Sequence, residues 1–375
     1  MVRASASTVP AASSRYWAEV RETARMTTPP FIHWFADIGL GDRAQVGGKG
    51  GSLGELLRAG VEVPAGFVVG THAFEGVIAH LESLAPFRSV VERLPADDLG
   101  EVSALSAELR ARIESVELPP GLTREIEDAY ARLGEPLHGA VVAVRSSATT
   151  EDSAAASFAG LQDTFLWVTS AEEVLDKLRR CWGSLYSVES LSYRLRHRMP
   201  EAGVAMAVVI QRMVDARTAG VMFTRSPTTG DRSVITIEAS WGLGSAVVSG
   251  GVTPDRWVVG KITGEVQCRE ISGKTIEHVP AEGGGVLARA VESARQFEAS
   301  LSDAQLQALR GLGRKIERHY RQPQDIEWAI EHGTERVLLL QSRPETVWSG
   351  KEKAPAAQPA ENPLHHLMSV FGGRP

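Results

Sequence analysis

DIEWAIEHGTERVLLLQSRPE, residues 325–345, reads as a β-hairpin. With a side-chain period of two, Asp325 and Glu327 share one face of the outgoing strand, and Gln341 and Arg343 share one face of the returning strand. In VLLLQSRP the polar residues follow directly on an apolar run, at the end of what should be a buried strand. A carboxylate and an amide oxygen at such a place are hard ligands suited to Mg²⁺, which commonly completes its shell with water and substrate phosphate oxygens. Arg343 beside them suits phosphate charge that a metal does not reach. The same residues also suit a cross-strand polar network that closes an ordinary hairpin, and spacing alone does not separate the two.

Outward from this hairpin, MAVVIQRMV (206–214), AGVMFT (219–224), SVITIEA (233–239) and DRWVVGK (255–261) are strand-like runs joined by Gly, Pro, Thr and Asp turns, and 288–320 reads as helix. In the first half, VPAGFVVG (63–70) is a short buried strand, 74–134 is mainly helical, and GAVVAVRSS (139–147) is a strand ending in a polar turn. SAEEVLDKLRRCWGSLYS (170–187) is a helix capped by Ser170 ahead of an acidic first turn. Strand and helix signals alternate from Phe31 onward, which predicts an α/β (α+β) fold. The expected organisation is a disordered leader over 1–30, lobes over 31–205 and 206–347, and a flexible linker and tail over 348–375.

Composition narrows the function classes. A net charge of −6 gives no hint of nucleic-acid binding, and no apolar run is long enough to cross a bilayer. Without a targeting signal the expected compartment is the cytoplasm. Cys181 and Cys268 fit no metal or redox spacing. Lys49 in GGKGG has no Ser or Thr after it, so the segment is not a P-loop, and G-x-G-x-x-G does not occur.

Several polar residues at glycine-rich turns and strand ends remain. VGGKGGSLGELLRAG (46–60) reads as a glycine-rich loop entering a short amphipathic helix; its glycines let main chain approach an anion while Lys49 supplies charge, although a solvated turn lysine fits equally. Arg145 ends an apolar strand beside Ser146 and Ser147, a placement suited to bidentate phosphate contact or to an ion pair with Glu151 or Asp152. SFAGLQDTF (157–165) offers a turn at Gly160, followed by Thr164, able to fold over phosphates through backbone N–H groups.

Taken together, VGGKGGSLGEL, VPAGFVV, VAVRSSATTEDSAAASFAGLQDTF, QRMVDARTAGVMFTRSP, IEASWGLGSAVVSGGVTPD and DIEWAI…LLLQSRPET lie in order across 31–347. They resemble the N-terminal ATP-binding domain of the phosphoenolpyruvate synthase and pyruvate phosphate dikinase family, which rifampicin phosphotransferase shares. The resemblance implies an ATP-grasp of two lobes with the nucleotide between them. It implies ATP and Mg²⁺ as ligands: Lys49 and Arg145 on the phosphates, the loop at Gly160 and Thr164 closing over them, Gln211 and the main chain near Met213 at the adenine, Glu238 near the ribose and metal, Glu327 and Gln341 on Mg²⁺, and Arg343 on the terminal phosphates.

One departure is Ser245, where the family commonly has an acidic residue in WGLGS. A second is that no histidine of the chain stands in the Gly/Thr-rich context of the family's phosphohistidine. The resemblance therefore implies a phosphotransferase subunit that phosphorylates a histidine on a partner protein, with AMP and phosphate as products, as in the separate ATP-binding chain of phenylphosphate synthase. A non-catalytic ATP-sensing regulatory subunit and a stand-alone small-molecule kinase, such as an antibiotic phosphotransferase, are the competing readings.

Overall fold

A computed structural model describes residues 30–134, 139–149 and 163–348, together with the backbone of 152–153 and 156–157. Its first sheet has five strands in the order β1 (Ile32–Trp34), β2 (Gly66–Val69), β7 (Met206–Arg212), β3 (Val142–Ala148), β6 (Thr164–Val168). All of its pairings are antiparallel. One face, with Val142, Val144, Val208 and Ile210, lies against helices α2 (Thr71–Leu84), α3 (Arg88–Arg93), α4 (Leu99–Glu114), α5 (Pro120–Leu133), α6 (Ala171–Ser184) and α7 (Val188–Arg196) in the larger core. Ser170 caps α6 as its sequence suggests, its side chain accepting from the Glu173 N–H.

The second sheet has six strands in the order β11 (Val266–Glu270), β10 (Asp255–Gly260), β9 (Val234–Trp241), β8 (Ala216–Phe223), β14 (Gln324–Glu331), β15 (Val337–Pro344). Ile235, Ile237, Trp257, Ile326, Trp328 and Ile330 alternate onto one face, against Leu306, Leu309 and Ile316 of helix α9 (Asp303–Tyr320). Trp257 and Trp328 are fully buried there; excluding one side chain of that size from water stabilises the fold by about 3 kcal/mol. The opposite face of this sheet turns toward the first sheet. Two sheets with a cleft between them fit the two-lobed ATP-grasp layout that the family resemblance implies.

Three sequence expectations are corrected. Met206–Arg212, expected to open the second lobe, lies inside the first sheet between β2 and β3, so the lobes divide after Arg212. The helix expected over 288–320 begins only at Asp303, while Val286–Ala290 is β13, paired with β12 (Ile276–Pro280) in a two-stranded hairpin. The glycine-rich segment is itself helical, inside α1 (Arg43–Arg58). The expectations for 1–29 and 349–375 lie outside the described residues. Among the described residues no helix is long and apolar enough to cross a membrane.

Candidate active site

Glycines at 47, 48, 50 and 51 are poor helix formers, yet α1 runs through them with one break at Gly47 (φ 70°, ψ 179°). That left-handed φ favours glycine, and a Cβ there would stand 2.0 Å from the Ser147 carbonyl oxygen. Ser147, two residues beyond Arg145, stitches the break: its hydroxyl donates to the Val46 carbonyl at 2.9 Å and accepts from the Gly50 N–H at 3.1 Å. Lys49 is thereby placed in the first turn after the kink, half-buried at the edge of the cleft. Farther along α1, the Ser52 hydroxyl donates to the Ser342 carbonyl of β15, so this helix touches both lobes.

Arg145 crosses the cleft. From β3 its Nη1 donates to the Leu340 carbonyl at 3.1 Å, and its Nη2 donates to Glu327 Oε2 at 3.2 Å and to Gln341 Oε1 at 2.6 Å. The acceptor is thus Glu327 on the other lobe; Glu151, one of the two partners proposed from sequence, lies outside the described residues, as does the side chain of Asp152. The register of the second sheet explains the convergence. Glu327 sits directly opposite Gln341, and Asp325 opposite Arg343. The register then shifts between Glu327 and Trp328, which makes Leu340 the unpaired residue of a bulge and frees its carbonyl for Arg145. Alternation cannot reveal such a bulge.

Arg343 Nε lies 3.5 Å from Asp325 Oδ2. Burial pushes the Asp325 carboxyl up to about 6, with Arg343 pulling it down and Glu345 adding to the rise. Glu238 stands in the same cross-strand row as Val221, Glu327 and Gln341, hence on the same sheet face, but it does not line the cleft itself. Burial also raises its carboxyl, partly offset by Arg256.

The cleft encloses about 440 Å³, within the range of small-molecule sites. Lys49, Arg145, Arg212 and Arg343 with Glu327 and the neutral Gln341 form its polar part. Met213, Val214, Ala216, Ala219 and Leu243 supply apolar lining. Gln211, opposite Ala143, is buried in this wall, and its amide nitrogen has no hydrogen-bond partner among the described residues. Such a donor suits an acceptor atom of a ligand. The Met213 N–H is engaged with the Val141 carbonyl at 2.9 Å, so any main-chain contact from Met213 itself must come from its carbonyl. Thr164 pairs with Arg145 across β6 and β3 and lines the cleft, exposed. Gly160 lies outside the described residues. Eight of the residues singled out from sequence therefore meet around one cleft: Lys49, Arg145, Thr164, Gln211, Met213, Glu327, Gln341 and Arg343.

The donor set fits Mg²⁺. Glu327 Oε2 and Gln341 Oε1 both touch one nitrogen of Arg145, so two hard oxygens stand within reach of a single cationic centre. Among the described residues, no group of three or more His, Cys, Asp or Glu side chains is placed to hold a metal. Two protein oxygens suit an ion that takes its remaining ligands from phosphate and water.

Residues 43–363 match the family model for the AMP/ATP-binding domain of pyruvate phosphate dikinase. A probable phosphoenolpyruvate synthase of Methanothermobacter thermautotrophicus is 42% identical over 318 residues, 84% of this chain and 46% of that protein. A rifampicin phosphotransferase of a Streptomyces species is 42% identical over 311 residues, 83% of this chain and 35% of that protein. The phosphoenolpyruvate synthase of Pyrococcus furiosus is 36% identical over 385 residues, 92% of this chain and 47% of that protein. The chain spans about half, or less, of the length of these relatives. Among solved structures, D-alanyl-alanine synthetase A from Vibrio cholerae aligns with 60% of this chain and 46% of that chain, at 10% identity and a TM-score of 0.26.

Proposed function

Since the chain belongs to the pyruvate phosphate dikinase AMP/ATP-binding domain family, we propose that it is the ATP-binding catalytic part of a phosphoenolpyruvate synthase-like phosphotransferase that phosphorylates a histidine on a partner subunit. The observation that supports this best is the meeting of Arg145 with Glu327 and Gln341 across the two lobes. Among the described residues no histidine lines the cleft, which is consistent with an acceptor presented from elsewhere.

In this reading the base lies against Met213 and Leu243 with the Gln211 amide as donor. The phosphates lie among Lys49, Arg145 and Arg343. The acceptor histidine attacks the β phosphorus, the bond to AMP breaks, and the terminal phosphate is then released to water as inorganic phosphate. Glu327 and Gln341 would hold Mg²⁺, which would supply charge neutralisation on the phosphate oxygens. Arg145 leaves its carboxylate partner for a phosphate oxygen, and Arg343, half-exposed and held at 3.5 Å by Asp325, has room to do the same. Thr164 and Lys49 close the site from the first lobe. Positioning and fixed charge of this kind provide most of the rate in phosphoryl transfer.

The equal identity, 42%, to a phosphoenolpyruvate synthase and to a rifampicin phosphotransferase leaves the final acceptor to parts outside this domain. The test is the fate of ATP labelled at the β or γ position, with and without a histidine-bearing partner. Partner-dependent AMP, with β label on the partner as an acid-labile phosphohistidine, is the expected result. ADP as the sole nucleotide product would sink the dikinase-type reaction.

A further inference from the structure

The β12–β13 hairpin projects from the second lobe to the first. Its turn holds three successive glycines with positive φ (84°, 103° and 78° at 283–285), a path that side-chain-bearing residues rarely follow. There the Gly285 N–H donates to the Trp167 carbonyl of β6 at 3.0 Å. At the other end, the Leu243 N–H donates to the His278 carbonyl at 2.9 Å. Anchored at both ends, the hairpin brings His278 Nδ1 within 2.8 Å of the hydroxyl of Ser245, a cleft-lining residue.

The position of Ser245 along the cleft follows from the sheet. A Cβ on the preceding Gly244 would stand 3.4 Å from the Cβ of Ala219. Ala219 pairs with Ala329, two residues along β14 from Glu327. Two strand residues span about 7 Å. Ser245 is therefore near one side-chain repeat from the place where Arg145, Glu327 and Gln341 meet, on the way to the apolar lining. Phosphates at Arg145 and a base against Met213 and Leu243 put the sugar beside Ser245.

We propose that Ser245, positioned by His278, hydrogen-bonds a ribose hydroxyl and gives the cleft a preference for ribonucleotides over deoxyribonucleotides; this rests on the nucleotide reading above. If Nδ1 accepts the Ser245 proton, the serine oxygen accepts from the sugar. If Nδ1 carries the proton, the serine donates to the sugar. A sugar hydroxyl both donates and accepts, so either tautomer leaves one well-aimed bond. His278 acts only through the serine and is a positioning residue.

The test compares the affinities of the full chain for ATP, 2′-deoxyATP and 3′-deoxyATP by competition, in the wild type and in Ser245→Ala, His278→Ala and His278→Asn. A neutral hydrogen bond corresponds to a preference of roughly three- to ten-fold for ATP over one of the deoxy analogues. Ser245→Ala should bring that ratio to about 1 while the affinity for that analogue stays at the wild-type value, which also reports an intact site. His278→Ala should lower the ratio and His278→Asn, which offers an amide in place of Nδ1, should restore it; a merely structural role would not move the ratio. An unchanged ratio in Ser245→Ala overturns the proposal. Wild type that binds ATP without any sugar preference overturns it as well and leaves the nucleotide reading intact. Failure of the wild type to bind any of the three overturns both.

Discussion

Replacing Glu327 by Gln should do two opposite things to ATP binding. In the folded protein the carboxylate holds Arg145 Nη2 at 3.2 Å, with both side chains mostly shielded from solvent. The amide keeps the shape but removes the charge. Arg145 is then held only by neutral acceptors, Gln341 and Leu340, and one negative charge beside the phosphate position disappears. A partly shielded ion pair contributes about 1 kcal/mol, and removing the repulsion contributes a similar amount for charges about 4 Å apart at a dielectric near that of water, as in an open, solvated cleft. Metal-free ATP should therefore bind about 5- to 30-fold more tightly. The Mg²⁺-dependent part should move the other way, because an amide oxygen is a poorer ligand for a hard cation than a carboxylate. The assay is calorimetric titration of ATP into wild type and variant, in EDTA and in excess Mg²⁺, with turnover measured alongside in the presence of the histidine-bearing partner. Weaker binding by the variant in EDTA, or wild-type Mg²⁺ dependence of turnover, would refute the placement of Glu327 between Arg145 and the metal.

Four other single substitutions test further parts of the chain. Arg145→Met should weaken Mg-ATP binding about 10- to 100-fold through loss of a charged phosphate contact and should lower stability by only about 1–2 kcal/mol, read as a small shift in the urea midpoint. Gly47→Ala should cost at least about 2 kcal/mol, since strained left-handed φ adds to the clash with the Ser147 carbonyl; Gly60→Ala, where the nearest atom to the new Cβ is the flexible end of Lys315 at 3.3 Å, should cost about half as much, and thermal melts of the two rank them. Lys274→Met should destabilise by about 3–5 kcal/mol, because it strands the fully buried Asp255 carboxylate. The Asp255→Asn/Lys274→Met double variant should recover much of that in the same urea titration.

How much of this was legible in the sequence depended on the range of the forces involved. The 325–345 hairpin was readable because its faces obey a strict period of two, and the pairing of Glu327 with Gln341 and Asp325 with Arg343 carries out that pattern directly. The bulge at Leu340 was not readable, since it is a register event between strands. Helix through GGKGG was hidden by low intrinsic propensity. What holds it is Ser147, distant in sequence, bonded to Val46 and Gly50. The run 288–302 is rich in helix formers, yet Val291 and Gln296 pair with Thr275 and Lys274 instead, so tertiary contact overrides propensity. The lobe boundary was misplaced for a related reason: Met206–Arg212 resembles the strands that follow it, and only its pairing with β2 and β3 reveals its lobe. Seeing Ser245 as a partner of His278 likewise required the β12–β13 hairpin, whose fold-back spacing does not encode.

The most direct test of a nucleotide site built from both lobes is calorimetric titration of Mg-ATP into the wild-type chain, Lys49→Ala and Arg343→Ala. One site per chain in the wild type, weakened at least tenfold by either substitution, is the expected result. Binding that survives both substitutions unchanged would contradict a phosphate site between the two sheets.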